Sequence, residues 1–267
     1  MASRKPLAKR VAFITGGATG IGFGIASQLA AHGAKVVLAS RNKDHLDQAA
    51  RKLAKSHAKP LTLELDVRDA EAVAQAINRT RETCGGLDVL INNAAGNFVC
   101  PTAELSPNAW KAVIDIDLNG TFHCCRAAYP ALCESSHGGR IINITMTRTL
   151  SGWPGCAHAA AAKAGILSLT RTLAVEWGPQ GIRTNAIAPG LIQGTEGARR
   201  LIEERGLLEQ ARGQIPLGRL GRIQDVANLA LFLISPAADQ VNGAEFTVDG
   251  GQCWHPGPAW ADPEPAD

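Results

Sequence analysis

Thr15-Gly16-Gly17-Ala18-Thr19-Gly20-Ile21-Gly22 is the stretch on which the fold turns. Val11-Ala12-Phe13-Ile14 precedes it, a short apolar run rich in strand formers. After it, apolar residues recur at helical spacing as far as His32, where Gly33 stops the pattern. A glycine turn between a strand and a helix lets a pyrophosphate approach the backbone, and the helix N-terminus meets its charge. The spacing is not Gly-x-Gly-x-x-Gly, because three residues separate Gly16 from Gly20. The strand before and the helix after still make the turn a dinucleotide signal.

The rest of the chain repeats that alternation. Strands are expected at 35–40, 61–66, 88–92, 140–145, 182–188 and 244–248, each an apolar run bounded by turn residues. Between them, Asn42 caps a helix to about Ser56, and Asp69 caps one to about Cys84. Ser106-Pro107 starts a helix expected to run to about Cys133, since proline at the first helical position loses no bond. Cys156 to Trp177 is helical around Lys163, Thr195 to Arg212 reads as a charged helix, and Gln224 to Ile234 as a compact apolar one. Strands alternating with helices across short loops imply an α/β fold. The expectation is one doubly wound, Rossmann-type domain over 1–267, with a central, mostly parallel seven-stranded sheet and an irregular tail from Cys253.

Composition narrows the function. The chain has 267 residues, 45% hydrophobic, with a net charge of +3, enough for one large core and too little charge to argue for nucleic acid or a membrane surface. Met1 to Arg10 is basic but lacks the apolar run of a signal peptide, and no segment reaches the roughly 20 apolar residues that span a bilayer. Seven cysteines form no Cys-x-x-Cys pair and no Cys/His spacing, so no metal site is expected. Cys124 and Cys125 read as reduced core thiols, and Cys156 as a thiol near Lys163 without a partnered base.

In a doubly wound sheet, ligands bind beyond the carboxyl ends of the strands. At the end of the second strand an acid would bind a ribose 2′-hydroxyl; here the chain has Ser40-Arg41, and a guanidinium suits a 2′-phosphate, so NADP(H) is favoured. Asp66, ending the third strand, is placed to accept from an adenine amino group. Thr145 and Arg148, ending the fifth, are candidates to bind a substrate oxygen.

The glycine turn, Asn92-Asn93-Ala94-Ala95-Gly96, Lys163, Pro189-Gly190 and Asp249-Gly250-Gly251 together resemble the short-chain dehydrogenase/reductase superfamily over nearly the whole chain. That family's Tyr-x-x-x-Lys is Ala159 to Lys163 here, its serine falls at Met146, and its asparagine falls at Asp117. The chain's single tyrosine is Tyr129. Asn93 to Phe98, Leu105 to Lys111, Leu118 to Thr121, His158-Ala159, Ala174 to Gln180 and Gly194 to Gly197 with Arg199-Arg200 resemble the 2,4-dienoyl-CoA reductases. The last three resemble the peroxisomal type, which also lacks the tyrosine. No Ser-Lys-Leu-like signal follows, since the chain stops at Pro265-Ala266-Asp267, and a cytoplasmic, bacterial-type relative is expected.

The resemblance implies cofactor contacts from Gly16, Thr19, Gly20, Ile21, Gly22, Arg41, Asp66, Asn93, Lys163, Pro189, Gly190, Ile192 and Thr195. It implies acyl-CoA contacts from Arg68, Phe98, Ser106, Asn108 and Arg200, a lid over about 191–222, and a homotetramer. The reaction implied is NADPH-dependent reduction of a 2,4-dienoyl thioester to a 3-enoyl-CoA. A carbonyl reductase must protonate an alkoxide as it forms, which suits a phenol, whereas a dienolate takes its proton on carbon. Lys163 is then expected to hold the nicotinamide ribose, and Asp117 to position a proton-delivering water. A ketone or 3-oxoacyl reductase and a non-catalytic NADPH-binding scaffold are the alternatives.

Overall fold

The computed structural model describes residues 5–149 and 152–254. Its strands are β1 (Val11–Thr15), β2 (Lys35–Ser40), β3 (Leu61–Glu64), β4 (Val89–Asn92), β5 (Arg140–Ile144), β6 (Arg183–Pro189) and β7 (Glu245–Val248). They form one seven-stranded sheet in the order β3-β2-β1-β4-β5-β6-β7, with every neighbouring pair parallel. The chain winds outward from β1 to β3, then returns to β4 on the other side of β1. The switch point therefore lies between β1 and β4, where open parallel sheets take their ligands.

The strands are buried on both faces, as a parallel sheet requires. On β1, Ala12 and Ile14 join a core with Ile25 and Leu29 of α1 (Gly20–Ala31), Leu46 of α2 (Lys43–Ala54) and Val226 of α9 (Ile223–Ile234). Val11 and Phe13 point the other way, toward Ile77 of α3 (Ala70–Cys84), Cys124 and Cys125 of α5 (Gly120–Cys133) and Leu173 of α6 (Ala157–Trp177). This is the two-residue alternation of a strand, resolved into two separate cores. Burial pushes the Cys125 thiol up to about 12, so this pair packs as inert hydrophobe.

The expected helix starts are present. Asn42 accepts from His45 N at 2.9 Å, Asp69 from Glu71 N and Ala72 N, and Ser106 from Ala109 N at 3.2 Å. Two expected helices are interrupted. The one from Pro107 is regular as α4 (Pro107–Ile114), takes a π-helical turn over Asp115–Asn119, and resumes as α5. Gly120 explains where it resumes: a Cβ there would lie 2.5 Å from Val67 Cγ2, so the helix settles directly onto the β3–α3 connection. The 195–212 segment is not one helix but α7 (Glu196–Ala198), a π turn over Arg199–Glu203, and α8 (Leu208–Gly213), separated at Gly206, whose φ is +68°. The two ends of the 191–222 segment are tied together: Ile192 bridges Gly221, Gln193 N donates to Gly221 O, and Gly221 N donates to Leu191 O, each at 2.9 Å.

Candidate active site

A cavity of about 620 Å³ opens over the carboxyl ends of the strands, at the switch point and against the 191–214 segment. The glycine turn forms one wall. Gly16 and Gly20 have φ of +61° and +51°, left-handed conformations that a side chain rarely adopts. Asn93 braces the turn from β4: its Nδ2 donates to Thr15 O at 3.0 Å and Gly16 O at 3.2 Å, while Thr15 Oγ1 accepts from Asn93 N and Ala94 N. Gly22 lies behind this wall and Thr19, Gly20 and Ile21 face the cavity. Thr195 precedes α7; its hydroxyl donates to Ile192 O and caps that helix, and its methyl faces Gly20. Pro189, Gly190 and Ile192, at the end of β6, line the same space.

Arg41 lines the cavity at the end of β2, exposed and without a carboxylate at ion-pair distance among the described residues. Asp66 lines it at the end of β3, but its carboxylate is already engaged. Arg68 Nη2 reaches Oδ2 at 2.6 Å, Arg68 Nε and N reach Oδ1 at 3.0 Å, and this bonding holds Asp66 below the usual carboxylate range. The sequence assigns Asp66 to adenine and Arg68 to acyl-CoA; the fold pairs them with each other at the cavity rim.

At the cavity floor, two charged groups are buried together. Asp117 is 1% exposed and Lys163 7%, and Lys163 Nζ lies 3.2 Å from Asp117 Oδ2. The other carboxylate oxygen accepts from Gly96 N at 2.8 Å, and the ammonium donates to Ile144 O at 3.0 Å. A buried charge is tolerated only when paired and hydrogen-bonded, and here each satisfies the other. The π turn carries Asp117 into this position, in keeping with the frequency of such turns at functional sites. Ala159 offers only a methyl to the cavity, and Met146 a thioether, where a phenol and a hydroxyl would otherwise stand.

The remaining expected substrate contacts do not line the cavity. Phe98 is half-exposed and meets His158 edge-on, with centroids 4.3 Å apart; Ser106 and Asn108 sit exposed at the start of α4. Arg200 is turned onto Glu196, which also binds Arg199, and Arg199 first and Arg200 next hold that carboxyl down at about 2. Cys156 is buried with its Sγ toward Phe98 O, and burial raises its thiol. The Arg148 side chain lies outside the described residues. Thr145 does line the cavity, but its hydroxyl is directed into the protein, donating to Glu245 Oε1 at 2.6 Å with Ile187 O at 3.2 Å.

Sequence reading missed two residues. His158 is 1% exposed; its Nδ1 takes the Ala159 amide at 2.7 Å, and Nε2 is enclosed without a partner. Burial lowers its pKa from 6.5, so its neutral form is the folded one. As pH falls below 6.5 the unfolded chain binds the proton first, and the penalty on folding grows until pH passes the lowered folded value. The expected result is a melting temperature that declines below pH 6.5, with the decline smaller in His158→Gln; thermal scans across pH check it. Thr147, buried in the turn after β5, is the other residue missed.

Residues 16–252 match a sequence family described as enoyl-(acyl carrier protein) reductase. A Bacillus subtilis protein named probable 2,4-dienoyl-CoA reductase, (2E)-enoyl-CoA-producing, is 45% identical over 94% of this chain and 99% of its own. The peroxisomal 2,4-dienoyl-CoA reductase of Danio rerio, named as (3E)-enoyl-CoA-producing, is 46% identical over 92% of this chain and 82% of its own. A solved short chain dehydrogenase from Bacillus anthracis superposes with a TM-score of 0.87 at 44% identity, covering 94% of this chain and all of that one.

Proposed function

The chain belongs to the short-chain dehydrogenase/reductase family, and from that premise we propose that it reduces 2,4-dienoyl-CoA to 3-enoyl-CoA with NADPH, as in the β-oxidation of unsaturated fatty acids. One observation carries the reading: the cavity holds a buried ammonium–carboxylate pair, Lys163 and Asp117, and no phenol beside it. A ketone reductase needs an acid that protonates an alkoxide as the charge forms. A dienolate keeps its charge on the thioester and receives its proton on carbon, which asks for oxygen-directed donors and an ordered water instead.

The residues present fit a phosphorylated dinucleotide. The glycine turn leaves room for a pyrophosphate at the start of α1, and Arg41 offers an unpaired guanidinium where a 2′-phosphate would lie. The reduced nicotinamide supplies the hydride when bound. Lys163 holds the ribose and keeps positive charge beneath the reacting atoms. Asp117, fixed by Gly96 N and Lys163, orients the water that protonates C2 once electrons from hydride addition at C5 have moved into the thioester. That proton leaves the double bond between C3 and C4. The two relatives are named for different products, (2E)- and (3E)-enoyl-CoA, and the product's double-bond position, read by NMR, decides it for this chain.

The test is one assay: purified protein, NADPH and a 2,4-dienoyl-CoA, followed by loss of diene absorbance. Consumption is expected. Turnover of ketones with no effect on the diene would replace this reading by a general ketone or 3-oxoacyl reductase, and NADPH binding without any turnover would replace it by a scaffold. Arg41→Ala is expected to raise the KM for NADPH by roughly 10–100-fold, the loss of a charged hydrogen bond, with NADH little affected. A homotetramer in the cytoplasm completes the proposal. Phe122 on α5 and Val175 on α6 are exposed apolar residues suited to its contacts, and light scattering gives the count.

A further inference from the structure

Three threonines, Thr145, Thr147 and Thr149, follow β5, and two have their hydroxyls committed inside the protein. Thr145 donates to Ile187 O at 3.2 Å and meets Glu245 Oε1, and Thr149 donates to Met146 O at 3.2 Å. Thr147 differs. It is 4% exposed and lines the cavity beside Ile144, Met146 and Lys163. Its hydroxyl bonds to no described residue, yet its oxygen is not sealed in protein as His158 Nε2 and Gln252 Nε2 are. A hydroxyl without a described partner and not enclosed, on a buried side chain that lines the cavity, is available to a ligand there.

We infer that Thr147 is a catalytic residue that donates its hydroxyl hydrogen to the thioester oxygen of the acyl-CoA. The inference rests on the reductase reading above. Hydride addition at C5 sends an electron pair along the diene into the thioester carbonyl, whose oxygen gains negative charge until C2 takes a proton. That oxygen needs a donor. Ala159 and Met146 provide none, and of the three N–H groups of the Lys163 ammonium, Ile144 O and Asp117 take two and the ribose the third. Thr147 is the next residue after Met146, on the same turn, and its O–H meets no competing acceptor among the described residues. A donor held in place by the fold needs no reorganisation as charge develops. The hydroxyl remains O–H throughout, so the proton delivered to C2 still comes from the water held by Asp117.

The test compares wild type, Thr147→Val and Thr147→Ser. Valine keeps the shape and removes the donor; serine keeps the donor. Turnover of a 2,4-dienoyl-CoA is expected to fall by about 10²–10³-fold in Thr147→Val, the usual loss for one oxyanion donor, and to recover largely in Thr147→Ser. NADPH binding, read by fluorescence, and melting temperature stay at wild-type values. A second readout does not depend on turnover. With NADP⁺ in the site, bound dienoyl-CoA absorbs at longer wavelength when its carbonyl is hydrogen-bonded; wild type and Thr147→Ser show that shift and Thr147→Val loses it. Full turnover, or a retained shift, in Thr147→Val would overturn the assignment while leaving the reductase reading intact. A wild type that leaves the diene untouched would overturn both.

Discussion

Asp117→Asn is expected to lower turnover of a 2,4-dienoyl-CoA by about 10²–10⁴-fold, the range for a lost proton-transfer partner. The substitution is nearly isosteric, but the site has no place for an amide. One carboxylate oxygen accepts from Gly96 N at 2.8 Å, and the other faces Lys163 Nζ at 3.2 Å. Whichever way the amide turns, its NH₂ meets a donor in a site where both charges are almost wholly buried. Lys163 also loses its counter-charge, and breaking a buried pair from one side costs about 3–5 kcal/mol. A lower melting temperature should therefore accompany the loss of rate. NADPH still binds, because Ile144 O continues to hold the lysine and the glycine turn is untouched. Steady-state kinetics, NADPH fluorescence and thermal scans measure the three effects, and an unchanged kcat would remove Asp117 from the reaction.

Gly22→Ala is expected to remove most of the affinity for NADPH. A Cβ at Gly22 would lie 2.4 Å from Gly16 O and 2.5 Å from Asn93 Nδ2, the two atoms whose 3.2 Å hydrogen bond braces the turn. Neither can give way cheaply: one is backbone, and the other is a short amide also bonded to Thr15 O. The methyl would wedge the turn from its brace, at a cost in stability of about 1–3 kcal/mol for an overpacked site. The Kd for NADPH should rise about tenfold or more, since 1.4 kcal/mol of lost binding is tenfold. Gly213→Ala is the control: nothing lies within 4 Å of its Cβ, and both melting temperature and Kd stay at wild type. A Gly22→Ala protein that binds NADPH normally would show that the turn tolerates the methyl.

Strands and helix starts could be read locally because their causes are local. Val11 to Ile14 alternates between two cores, and Asn42, Asp69 and Ser106 each cap within three residues of themselves. The interrupted helices were not legible. Whether Asp115 to Asn119 closes α or π hydrogen bonds depends on Gly120 reaching Val67 and on Asp117 reaching Lys163, contacts with distant parts of the chain. The Asp66–Arg68 pair was hidden for a related reason. Each residue had a sensible partner outside the protein, and only the folded loop shows that they take each other first.

The sequence by itself determined the doubly wound sheet and the cofactor end, which follow from periodicity and a glycine turn, and, set beside the family it resembles, the loss of tyrosine and serine at 159 and 146. The tertiary structure alone decided which groups in the cavity are available. Thr145, Thr147 and Thr149 are the same residue in the same short segment, and among the described residues one of them has no partner for its hydroxyl because Ile187, Glu245 and Met146 occupy the other two. A donor's availability depends on every acceptor around it, and those acceptors are brought together only when the chain has folded.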